Sequence, residues 1–170
     1  MSKLFLLLIF FSADFLFSQS NFELEDLNPS SEFYGQVIGP EDFLGGISII
    51  FFGHEYWSAC RSRFDFLNLV YNDLLAIGIE DVKMIGVGKD AYNSSLDGMI
   101  DQNILPWVED REEEGYPVWE DYEAVQRSTY FLDRQGELIY QFNITTLNPE
   151  NPEDYSYFIN LILDFRANNG

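Results

Sequence analysis

The run Ile47-Ser48-Ile49-Ile50-Phe51-Phe52 is β-branched and aromatic almost throughout and stops at Gly53. An apolar run this continuous suits a strand buried on both faces of a sheet, not one face of an amphipathic strand. After a turn reaching Ala59, Phe64, Leu67, Val70, Leu74 and Ile77 recur at helical spacing, and Gly78 closes the helix. Val82 to Val87 then reads as a second strand. Strand, helix, strand in this order implies parallel pairing through a right-handed crossover, which limits the chain to an α/β fold.

The rest of the chain is read around that unit. Ser94 to Asn103 is expected to be a short helix, Leu105 to Val108 a brief extended piece, and residues 109–115 an acidic loop. Trp119 to Gln126 is expected to be helical. Ser128 to Leu132 and Glu137 to Phe142 read as antiparallel strands joined through Asp133-Arg134-Gln135-Gly136, with glycine for the positive φ. A last helix opens at Asn151 as cap, with Pro152 in its first turn and Glu153 and Asp154 against the dipole. Its apolar stripe is Phe158, Leu161, Ile162 and Phe165. The expected architecture is a central mixed sheet of about four strands flanked by helices, over residues 44–168. Residues 20–43, punctuated by Asn28-Pro29, Gly35 and Gly39-Pro40, are expected to form an irregular amino-terminal extension.

Residues 1–19 read as a signal peptide: Lys3, then a mostly apolar stretch from Leu4 to Ala13 that is too short to span a membrane, then small and polar residues around Ser18. An uncleaved anchor is the alternative. The absence of cysteine near the cleavage region argues against a lipid anchor. A secreted or periplasmic location follows. The formal net charge is −20 at pH 7, which excludes nucleic acid and anionic lipid surfaces as natural partners, because both are held by basic contacts. Cys60 is the only cysteine in the 170 residues, so no intramolecular disulfide can form. Its thiol is buried and inert, paired with another chain, or reactive.

The chemistry is expected in the turn Phe52-Gly53-His54-Glu55-Tyr56-Trp57-Ser58-Ala59-Cys60-Arg61, at the carboxyl end of a parallel strand, where open α/β sheets carry their sites. This segment resembles the thioredoxin active site, in which an aromatic residue precedes Cys-x-x-Cys. Tyr56 stands at the aromatic, Cys60 at the second cysteine and Arg61 after it, while Trp57 occupies the place of the first, attacking cysteine. The likeness extends to the amino-terminal domain of the selenoprotein P family, an exported thioredoxin-like branch with selenocysteine-x-x-Cys. Trp57-Ser58-Ala59-Cys60 falls on that motif, and the stretch from Ser128 to Tyr140 resembles its closing hairpin. The codon UGA reads as stop, selenocysteine or tryptophan in different systems, so Trp57 is where a miscopied selenocysteine would appear.

As written, the motif is degenerate. An indole cannot attack a disulfide, and a single thiol forms a mixed disulfide that no neighbour resolves. The resemblance therefore implies two classes. One is a redox protein acting through Cys60, or through residue 57 if it is selenocysteine, on a protein or small thiol or disulfide substrate. The other is a binding module with Tyr56, Trp57, Ser58, Ala59 and the loop at Ser128 and Thr129 as its surface. Ser128 takes the position where thioredoxins place a cis-proline. His54 and Arg61 are candidates to assist Cys60, although an exposed turn histidine is the plainer expectation for His54. The carboxylates from Glu109 to Asp121 lack the ligand spacing of a calcium loop, and one histidine with one cysteine is too little for zinc, so neither metal nor cofactor is expected.

Overall fold

The computed structural model describes residues 21–168; the expected signal peptide lies outside them. Two short strands, β1 (Leu24–Glu25) and β2 (Val37–Ile38), pair antiparallel ahead of a 3-10 turn at Pro40–Phe43. The crossover unit follows: β3 (Ile47–Phe52), α1 (Ser58–Ala76) and β4 (Val82–Lys89). Next come a 3-10 turn at Asp90–Ser95, α2 (Asp97–Ile100), β5 (Trp107–Asp110), a 3-10 turn at Glu112–Glu114 and α3 (Pro117–Asp121). The hairpin β6 (Ser128–Leu132) and β7 (Leu138–Asn143) precedes α4 (Pro152–Asn168).

β3 is central because every one of its residues is buried, so it needs a strand on each side and cover on each face. It pairs parallel with β4 and antiparallel with β6, in a five-stranded sheet of order β5-β4-β3-β6-β7. The extra strand relative to expectation is β5, parallel to β4, where a brief extended piece and an acidic loop were expected. Glu109 and Asp110 belong to that strand, and Asp110 is buried, its carboxylate accepting from the backbone N–H groups of Arg111 and Trp119. Only the run after Asp110 is a solvated acidic segment.

Alternation along the strands divides the core in two. On one face Ile49, Phe51, Trp107 and Phe131 meet Phe64 and Leu67 of α1 and Phe158 and Ile162 of α4. On the other, Ile50, Phe52, Val87, Tyr130 and Leu132 meet Val118 and Trp119 of α3, and also Phe22, Ile38 and Phe43 of the amino-terminal extension. The extension is thus part of the second core layer. It is also stitched to β5: the Leu27 N–H donates to the Trp107 carbonyl, and the Trp107 N–H donates to Asp26 Oδ1 at 3.0 Å.

The last helix opens as expected, with Asn151 Oδ1 accepting from the Glu153 N–H, and Gly136 at φ +83° closes the hairpin turn. The helix expected at 119–126 lies earlier. Pro117 opens it, and Glu123 at φ +47° is already outside the helical region.

Candidate functional site at the head of helix α1

Trp57 is the residue before the first helical turn of α1, at φ −92° and ψ 117°, and no side chain caps the helix there. Trp57 and Tyr56 stand edge to face, 50% and 68% exposed, and Ser58 and Ala59 are exposed beside them. Cys60 is one residue further in and entirely buried, packed with Phe51 and Phe64 in the first core layer. The expected motif is therefore split by depth, with two aromatic rings outside and one thiol inside.

The residue brought to Cys60 is Arg127, which the sequence reading did not single out. Its Nη1 donates to Cys60 Sγ at 3.8 Å, and its Nε donates to Thr145 Oγ1 at 2.6 Å. The Arg127 N–H donates to the Phe52 carbonyl, fixing this loop against the end of β3. Arg127 has φ +70°, a left-handed backbone that arginine adopts only when its surroundings hold it there. Glycine would be the usual residue at such a φ, and that mismatch is visible only once the backbone is known.

Ser128 and Thr129 are placed differently from expectation. Ser128 Oγ accepts from the Val125 N–H within its own loop, and Thr129 is buried with its Oγ1 donating to the Arg127 carbonyl. The exposed apolar residue of this loop is Val125.

His54 is not an exposed turn residue. It is 7% exposed, held between the rings of Tyr92 at 4.5 Å and Trp119 at 5.0 Å. Burial, helped by the charge of Lys89, lowers its pKa to about 4, so the imidazole is neutral at physiological pH. It packs against Trp119 of the second core layer, whereas Cys60 belongs to the first. Arg61 does not meet the sulfur: its Nη1 donates to the Glu55 carbonyl at 2.9 Å and tightens the turn.

Glu55, the neighbour of His54 in the turn, is fully buried. Its Oε1 accepts from Trp107 Nε1 at 2.9 Å, while Oε2 has no partner. The side chain fits because position 88 is glycine; a Cβ there would overlap the Glu55 carboxylate. Burial raises the Glu55 pKa to about 7, and burial likewise raises that of Glu109 to about 7. Among the described residues, no group of three acidic, histidine or cysteine side chains could hold a metal ion.

No protein-family model and no curated protein matches the chain. Solved structures do. Yeast Sco1 with copper bound is similar at 16% identity over 88% of each chain, with a TM-score of 0.67. The thioredoxin domain of a thiol-disulfide oxidoreductase from Bacteroides vulgatus is similar at 17% identity, covering 85% of this chain and 94% of that one, with a TM-score of 0.62. BsSco, a member of the Sco family of cytochrome c oxidase assembly proteins, is similar at 16% identity over 88% of this chain and 94% of that one, with a TM-score of 0.62. The fold is thioredoxin-like. Within this thioredoxin-like chain, Trp57 to Cys60 spans the head of α1. Among the described residues no helix is long and apolar enough to cross a membrane.

Proposed function

We propose that this thioredoxin-fold protein is an exported binding module, not a dithiol oxidoreductase, and that it recognises an extended stretch of a partner protein through Tyr56, Trp57 and Val125. The observation that carries this reading is the inversion of exposure at the motif: the rings are outside and the thiol is sealed. A nucleophile must reach its substrate, and Cys60 does not; exposed aromatic side chains are the usual anchors of protein recognition. The net charge of −20 favours a partner segment carrying lysine or arginine. Export, and the finer likeness to the selenoprotein P amino-terminal domain through Trp57-Ser58-Ala59-Cys60 and the 128–140 hairpin, belong to the same proposal.

A second reading has one observation in its favour. The Arg127 Nη1 donates to Cys60 Sγ at 3.8 Å, so the thiol has a charged hydrogen-bond donor beside its apolar neighbours. In that reading the residue at 57, exposed at the head of α1, would carry the attack as selenocysteine, and Cys60 would resolve it.

Two measurements separate the readings. Native intact mass with thiol alkylation is expected to show tryptophan at 57 and slow modification of Cys60; a selenium isotope pattern, or alkylation as fast as in the unfolded chain, would favour the redox account. Titration of the native protein with an extended lysine-rich peptide, followed by tryptophan fluorescence, is expected to saturate, and Trp57→Ala should weaken binding about tenfold or more. Equal affinity in the two proteins would remove Trp57 from any recognition surface.

A further inference from the structure

The carboxyl edge of the parallel strands carries a second feature that neither reading uses. Gly88 of β4 and Glu109 of β5 are register partners, and the Glu55 side chain lies over Gly88 in the slot its missing Cβ leaves. Two carboxyl groups therefore share one stretch of the sheet's edge. Each has a buried oxygen without a hydrogen-bond partner, Oε2 of Glu55 and Oε1 of Glu109. Two unpaired anions do not remain together under burial, since desolvation and mutual repulsion both oppose the second charge. Among the described residues the neighbouring cations are engaged elsewhere. The Arg61 guanidinium of α1 is engaged with the main-chain oxygens of Glu55 and Tyr56, and Lys89 Nζ lies over the rings of Tyr116 and Trp119. Asp90, which follows β4, adds a further negative field on both glutamates, and His54 on the same turn is uncharged.

We propose that Glu55 and Glu109 form a proton-operated latch on the turn that leads into α1. With a proton held on the pair, neutral Glu55 stays in the slot between Gly88 and the Trp107 indole, and the turn is closed over the first core layer. When that proton leaves to solvent, the Glu55 carboxylate moves out to be hydrated and draws Gly53 to Trp57 with it. The motion loosens the head of α1, where Tyr56 and Trp57 are displayed and Cys60 is sealed. The latch thus makes the proposed recognition surface, and access to the thiol, functions of pH. It rests on the side-chain arrangement and not on the binding reading, and its readout requires no ligand.

The test is nitrogen-15 NMR on the full chain between mildly acidic and mildly alkaline pH. It follows the Trp107 Nε1–H resonance and amide exchange across 53–57, corrected for intrinsic base catalysis. One titration near pH 7, in line with the raised values of both glutamates, is expected to shift the indole signal. Protection of the turn amides should drop at least about tenfold across it. Glu55→Gln, a neutral isostere, should stay closed across the whole range. Glu109→Gln should move the transition to lower pH by removing the neighbouring charge; it also guards against failure of the first variant to fold. Identical profiles for the wild type and Glu109→Gln would overturn the proposal, as would a turn equally protected at both pH extremes. Calcium or magnesium chloride closing the turn at alkaline pH would also overturn it, because the pair would then be a cation site.

Discussion

Gly86 shows how much of a site rests on single residues whose role the sequence conceals. Within Val82 to Val87 it reads as a weak spot in a strand, yet a Cβ there would overlap the Trp107 ring and crowd Phe64. The glycine is what lets the indole lie flat against β4 and reach Glu55. Gly86→Ala is therefore expected to destabilise the fold by about 1–3 kcal/mol through overpacking, read as a lower urea midpoint at unchanged slope. At this scale the sequence placed Tyr56, Trp57 and Cys60 on the turn into α1 but left the burial of Cys60 open. It was not legible for His54, Glu55 and Arg127. Polar residue types in a turn default to solvent, and only the path of the backbone puts His54 between two rings, Glu55 over a glycine and Arg127 in a left-handed φ.

Among the elements, those with strong periodicity and terminal chemistry were readable: β3, α1, β4, the β6–β7 hairpin and α4. β5 was not, because its outer half is Glu109-Asp110, which reads as the start of an acidic loop. Asp110 belongs inside only because two backbone N–H groups meet its carboxylate. α1 has its own anomaly. A helix of this length starting from tryptophan leaves its first amides without a side-chain cap, where serine or aspartate would accept from them. Trp57→Ser is thus expected to stabilise the protein by about 0.5–1 kcal/mol. The expected result is a raised urea midpoint together with the weakened peptide binding described for Trp57→Ala. A gain in stability with loss of binding is the signature of a residue kept for recognition. A loss of stability would mean that the half-exposed indole packs more productively than its exposure suggests.

For the molecule as a whole, the buried titratable groups pull the stability curve toward acid. Glu55 and Glu109 rise from the usual 4.5 to about 7 on folding, so between those values the folded chain keeps protons that the unfolded chain has released. By linkage their contribution is most favourable below pH 4.5 and is lost as pH rises through 7. His54 acts in the opposite sense. Its pKa falls from 6.5 to about 4, so stability is lost as pH drops through that interval and the unfolded chain takes up the proton. Two carboxyl groups outweigh one imidazole where the windows overlap, and above 6.5 nothing from His54 opposes them. The paired Asp81, with its carboxyl lowered by Arg166 and Arg134 although burial raises it, already contributes in full across this range. The net charge of −20 at pH 7 adds self-repulsion that grows as carboxyl groups ionise. The urea midpoint is therefore expected to be higher at about pH 5.5 than at about pH 8, in moderate salt to screen the surface charge. Glu55→Gln with Glu109→Gln should flatten the decline between pH 4.5 and about 7 and leave the pH dependence of that interval governed by His54. A midpoint that rises steadily to pH 8 in the wild type would mean that both glutamates are ionised in the folded protein and that their environment stabilises the charge.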